Sequence, residues 1–224
     1  MPLSDAELAL IAAIHADPRN DAPRLAYADW LEANGLGDEA KFIRVQCEQP
    51  YFSLITRDGI RPATDSGRIK FEDPERMEQA IELLGRIYPS ERYPETRYYD
   101  EYRRGLPLYE EKLNDGNLRY SAAQIRADMS PLVRYRLHLE TSRLADWLNH
   151  PIMQFVDVLR ISPGWEDDDD VEDIRADDLR ALAASPLIDR LEKLGLGVDM
   201  APDAVELARS LERRVEVEYG DWTI

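Results

Sequence analysis

Over the first fifty residues the apolar positions repeat with the period of a helix, and over the last hundred they gather in short runs of strand character. Ser4 followed by Glu7 makes a capping-box pattern ahead of Leu8, Ile11, Ala12 and His15, with Leu10 and Ile14 widening the stripe. Asp17-Pro18 ends that helix. Asp21 is placed to cap a second, which tolerates Pro23 in its first turn and stops at Asn34-Gly35. Leu25, Ala28, Trp30 and Leu31 give this helix its apolar side. A third helix, 38–49, turns Phe42, Ile43 and Cys47 inward. Residues 50–74 carry Pro, Gly, Asp, Ser and Thr without a period and are expected as a loop. A helix follows over 74–87, then a Tyr- and Arg-dense stretch to residue 104 that is expected to wrap irregularly.

The second half predicts strands at 106–113, 132–139, 155–161, 191–198 and 214–219, with short helical segments between them. Leu137, Ile161, Leu196 and Val217 stand as equivalent strand positions, at steps of 24, 35 and 21 residues. One strand and one helix per 20–29 residues is the period of a leucine-rich solenoid. Leu191-x-x-Leu194-x-Leu196 and Val156-x-x-Leu159-x-Ile161 share one spacing. The expected fold is therefore α/β. A helical cap unit (1–49) and an irregular, partly helical insertion (50–104) precede a short leucine-rich-repeat-like solenoid with a parallel sheet (105–224).

Charge narrows the partners. The formal net charge of −17 makes a surface that repels phosphate backbones, so direct nucleic-acid binding is not expected. Much of the excess lies in Glu166 to Asp178, which holds nine acids against one Arg and falls in the longest step between strands, as a loop insertion would. Cys47 is the single cysteine, which rules out an internal disulfide and fits a reducing compartment. The N-terminus has no basic region of a signal peptide and no apolar run reaches the ~20 residues of a membrane span. A cytoplasmic protein without membrane contact is expected.

The run Asp21, Pro23, Arg24, Leu25, Tyr27, Ala28, Asp29, Trp30, Leu31, Glu32, followed by Phe42, Ile43, Arg44 and Gln46, resembles the bacterial repeat-companion domain. That short helical module is often followed by leucine-rich or other repeats, and the resemblance implies no assigned activity. The usual Asn after the L-x-L strand is absent, since Ser162 and Gly197 stand there. A solenoid exposes the apolar end of its first strand, and a helical unit before it covers that end. Tyr27 and Trp30 are expected to fill this joint. Asp29 is expected to be held by a helix N-terminus, Arg24 or Arg44; if it is buried a partner is required, because an unpaired buried carboxylate costs several kcal/mol. Its replacement by Ala is then expected to lower stability markedly.

Catalytic chemistry is not evident. His15, His138 and His150 are scattered without ligand spacing, so no metal site is expected, and no phosphate-binding or nucleophile motif is present. Cys47 has the setting of an inert buried thiol, and no cofactor is implied. The strand face offers more. Arg136, Arg160, Gly195 and Glu216 are expected to project from it, beside His138, Ser162, Gly197 and Glu218. Arg136 and Arg160 are expected about 5 Å apart at their backbones, paired with Glu140 or Asp157 or left for a partner's carboxylate. Arg136, His138, Arg160 and Lys193 form the candidate partner-binding set. Glu166, Asp167, Asp168, Asp169 and Asp170 form a second candidate surface. The expected function is a non-catalytic, monomeric module that binds a protein through its strand face. The alternatives are an acidic inhibitor or nucleic-acid mimic that blocks a basic target through 166–178, and an enzyme of unknown class.

Overall fold

A computed structural model of the chain describes residues 3–48, 53–56, 59–63, 74–87, 101–126, 129–162, 174–197 and 200–220. The chain divides into two compact units: residues 1–109 with 129–134, and residues 110–128 with 135–224.

In the first unit α1 is Asp5–Ala16, and Ser4 Oγ accepts the Glu7 amide at 3.2 Å. Helix α2, Asp21–Ala33, is capped by Asn20, whose side chain accepts the Ala22 amide. The cap expected of Asp21 is corrected by one position. Asn20 holds the extended backbone that a cap requires, and Asp21 is bound to Arg104 at 2.8 Å. Gly35, at φ +81, makes the left-handed stop, and α3 runs Gly37–Glu48. Residues 50–74 were expected as a loop, yet β1 (Ser53–Thr56) and β2 (Gly59–Ala63) form an antiparallel hairpin there. Leu54, Ile55, Thr56 and Ile60 carry strand character that the density of Pro and Gly around them obscures. Helix α4 covers Pro74–Ile87, and β3, Glu101–Arg103, pairs antiparallel with the start of β4, Leu106–Asn114.

Two apolar clusters hold this unit. Ile11, Ile14, Tyr27, Leu31, Ile43 and Leu106 belong to one, and Phe42 joins Leu83, Leu84 and Ile87 in the other, so α3 has apolar residues on two sides. The stripe on α2 is rotated from expectation: Leu25 is 40 % exposed, while Arg24 and Tyr27 lie inside. Gly105, at φ +80, sits so close to α3 that a Cβ would stand 2.5 Å from Ile43 Cα. Its amide donates to Gln46 Oε1 at 2.6 Å.

In the second unit the rest of β4 leads through α5 (Ala122–Ile125) to β5 (Arg134–Glu140). Then come α6 (Leu144–Leu148), β6 (Val156–Ser162), α7 (Ala176–Ala184), α8 (Leu187–Arg190), β7 (Lys193–Gly197), α9 (Pro202–Leu211) and β8 (Glu216–Gly220). Within this unit the strand order follows the chain, from the end of β4 through β5, β6 and β7 to β8, and β5 to β8 pair parallel. Parallel neighbours need a crossover, and α6, α7 with α8, and α9 provide it. Leu137, Leu139, Leu159, Ile161, Leu194 and Leu196 are 2 % exposed or less and make the core face of the sheet.

The register differs from the one read by period. Leu137 opposes Leu159, Leu159 opposes Leu194, and Leu194 opposes Val217. Ile161 and Leu196 are therefore one core position further along their strands than Leu137 and Val217. Of the acidic run, Ile174 makes a parallel bridge with Met200, and Asp177 and Asp178 open α7, so its end belongs to regular structure. Glu166, Asp167, Asp168, Asp169 and Asp170 lie outside the described residues. No helix among the described residues is long and apolar enough to cross a membrane.

Candidate interaction surface

The helical motif near the N-terminus uses its polar groups on its own unit. Arg24, 1 % exposed, donates to the carbonyls of Pro18 at 2.7 Å and Asn20 at 3.2 Å, which ties the α1–α2 turn to α2. The Tyr27 hydroxyl donates to the buried Glu7 carboxylate at 2.9 Å. Arg104 binds Asp21 and the Arg19 carbonyl. Pro23 takes the first turn of α2, where no amide donor is needed, and Phe42 fills the cluster beside α4. Trp30 is half-buried against the cluster that includes Leu106, with its ring stacked on Tyr27 at 6.2 Å.

Asp29 takes one of its expected partners, Arg44. Its side chain is 75 % exposed and accepts from Arg44 at 2.7 Å, and Glu32 takes the same guanidinium at 2.8 Å. These two carboxylates, Asp29 first, hold the Arg44 guanidinium above its ordinary range. Position 29 falls on the outer side of α2, so its carboxylate stays hydrated and the marked loss of stability expected of its replacement by Ala no longer follows. Cys47 is held by its surroundings as a thiol, since burial pushes it up to about 12.

The polar face of the sheet is built by alternation. Residues 136, 138 and 140 of β5 point away from the core side that holds 137 and 139, and β6 to β8 continue the pattern. Arg136 opposes Val158, and Arg160 opposes His138, so the two arginines are offset by two residues rather than side by side. Both reach Glu110 on β4: Arg160 at 3.1 Å and Arg136 at 3.4 Å. The pairing expected with Glu140 or Asp157 is corrected accordingly. Asp157 lies on the other side of the pleat with Leu159 and Ile161, and Glu140 is taken by Lys112 at 2.6 Å.

On the far strands Lys193 pairs with both Glu216, at 3.3 Å, and Glu218. Gly195, between Arg160 and Glu218 in register, leaves room for the arginine stem: a Cβ there would stand 2.7 Å from Arg160 Cγ. His138 is 6 % exposed and shares a hydrogen bond with Ser162 Oγ at 2.8 Å. Burial, before any neighbouring charge, holds His138 below its ordinary range.

The structure thus brings Arg136, His138, Arg160 and Lys193 onto one face. Glu110, the carboxylate that joins the two arginines, is the residue that sequence reasoning missed. Its signal in the sequence was weak, because in β4 Glu110 and Lys112 have the parity of buried Leu108 while buried Leu113 has the other, so no clean alternation marks the segment. Lys112, Arg136, Arg160 and Lys193 match Glu110, Glu140, Glu216 and Glu218 in number, so these groups cancel on a strongly acidic protein.

Two other clusters serve the fold. Asp115 accepts from Thr141 Oγ1, Ser142 N, Ser142 Oγ and the indole of buried Trp147. An open groove of about 510 Å³ lies between the α6 and α7–α8 segments, lined by Leu148, His150, Met153, Ala181, Leu187 and Arg190. At its rim Arg190 donates to the Gln154 carbonyl, and His150 binds the Tyr120 carbonyl and the Ile152 amide. No family model, curated protein or solved structure matches the chain.

Proposed function

We propose that the chain is a cytoplasmic, monomeric and non-catalytic interaction protein, and that a protein partner binds the polar face of β5 to β8. In this proposal the strand–helix units are a short, degenerate leucine-rich-repeat-like solenoid. The opening helices are its companion unit, as the resemblance of the Asp21–Gln46 run suggests. The observation that carries the reading is the compensated set of ion pairs across the five strands β4 to β8, against a net charge of −17. A face meant only to stay hydrated and repel neighbours needs no such balance. A face that must come close to another protein does, because uncompensated charge at an interface is costly to desolvate. Arginine is also favoured where binding energy concentrates.

The test is capture of partners from the native cell, with wild type and with Arg136→Gln/Arg160→Gln, at low and high salt. The reading expects a partner that the double variant loses, with modest salt dependence. An acidic decoy acting through 166–170 would instead show steep salt dependence and indifference to the double variant.

A further inference from the structure

Strand β8 closes the parallel series with an open outer side. It pairs with β7 from Glu216 to Gly220, and no strand among the described residues pairs with its other side. A row of its backbone donors and acceptors therefore points away from the sheet. The core face opens at the same edge. Leu194 and Leu196 on β7 are fully covered, whereas their neighbours in register on β8 are not: Val217 is half-buried and Tyr219 is 44 % exposed. The Tyr219 hydroxyl donates to Glu212, just past the end of α9, at 2.9 Å, which holds the ring at this edge. On the opposite face Glu216 and Glu218 share the ammonium of Lys193, and their side chains are 57 % and 35 % exposed. Two carboxylates around one ammonium leave a net negative charge, and each carboxylate has lone pairs for a further donor.

Two unlike rows thus border the open edge, an apolar one at 217 and 219 and an acidic one at 216 and 218. A strand added here completes both rows when its residues alternate between basic and apolar, and that alternation is the same read in either direction. A second copy of this chain fits poorly. Paired through β8, it sets Glu216 and Glu218 among their own counterparts, and like charges across neighbouring strands are destabilising. A helix fits poorly too, because its backbone groups are already bonded to one another. We propose that the outer edge of β8 takes an extended segment of a partner protein, in which Lys or Arg alternates with apolar residues, as a further strand of the sheet. This site goes beyond the polar face of the preceding section: it is held by backbone hydrogen bonds along an edge, and it does not use Arg136 or Arg160.

The probe is a peptide of about eight residues in which Lys and Val alternate, a length within the usual range of strands. Gln/Val, Glu/Val and Lys/Ser versions and a fully N-methylated Lys/Val version complete the set. Binding to the full chain is followed by amide chemical shifts and by hydrogen exchange at residues 216–220. The Lys/Val peptide is expected to slow exchange in β8 and to bind roughly five-fold tighter than Gln/Val, from two cross-strand charge pairs. Glu216→Gln/Glu218→Gln, at two exposed positions, is expected to remove that advantage. Lys/Ser is expected to bind more weakly than Lys/Val, and the N-methylated peptide, which has no amide donors, is expected not to slow exchange in β8. Equal binding by Glu/Val or Lys/Ser overturns the proposal, as does protection that survives N-methylation or the absence of protection in β8 at millimolar peptide. Protection of β8 that rises with protein concentration alone identifies a second copy as the occupant and also overturns it. None of these outcomes bears on the polar-face reading, which stands or falls by partner capture with Arg136→Gln/Arg160→Gln.

Discussion

Arg24 in the helical motif and Arg160 on the strand face are both mostly covered arginines, and they differ in what they hold. Arg24 sends its donors to two backbone carbonyls inside its own unit. Arg160 sends one to the side-chain carboxylate of Glu110 at a half-open surface. The same contrast runs through the residues around them. Tyr27, Asp21 and Gln46 bind Glu7, Arg104 and the Gly105 amide, which fixes the turn between α1 and α2 and the seat of Gly105 on α3. Arg136, Lys112 and Lys193 bind carboxylates on adjacent strands, and each partner is a flexible side chain. Polar groups spent on backbone are part of the fold and are costly to remove. Polar groups paired with one another at a surface can exchange partners at little cost. A run of sequence that looks catalytic can therefore be packing, and a plain alternating strand can be the working face.

The contrast can be broken at several points. The largest effect is expected at Gly105→Ala, which combines a left-handed backbone with a contact against the Ile43 main chain. Urea unfolding should show a loss on the order of 3 kcal/mol. Arg24→Ala should follow, at about 2–3 kcal/mol, because it strands two carbonyls and empties a buried site. A change within ~0.5 kcal/mol would remove the motif from the fold's supports.

His138 sharpens the other side. Its folded pKa lies below the unfolded one, so its contribution is intact above the unfolded value of about 6.5 and is lost as pH falls through that range. Lys112 and Arg160 oppose its protonation while Glu140 and Glu110 favour it, and burial decides the sign. Thermal melts should fall between about pH 7 and pH 5, and His138→Gln should flatten that slope. Burial pushes the Glu111 carboxyl up, so it destabilises the ionised fold and its penalty fades as pH drops further. The smallest effect is expected at Asp29→Ala, under about 1 kcal/mol, since an exposed pair with Arg44 is all that is lost.

Much of this was legible in the sequence, and the failures have physical causes. The starts of α1 and α4 and the stop at Gly35 followed from local capping and turn chemistry, which needs no distant partner. The parallel strands β5, β6 and β7 followed from period. Their register did not: a slip of two residues keeps every side chain on its own face, so Ile161 fits as well as Leu159 opposite Leu137. Glu110 was missed because pairing across two strands is set by side-chain reach and not by spacing. Leu25 was read as part of the apolar side of α2 and the burial of Arg24 was not read, because a buried polar group cannot be recognised until its partners, the Pro18 and Asn20 carbonyls, are known.

The central claim is that the strand face binds and the helical motif supports the fold. One comparison tests it most directly: partner capture by Arg136→Gln/Arg160→Gln against capture by Asp29→Ala/Glu32→Gln, with both variants shown to be folded. The account predicts loss of the partner in the first and its retention in the second. Retention in the first and loss in the second would contradict it.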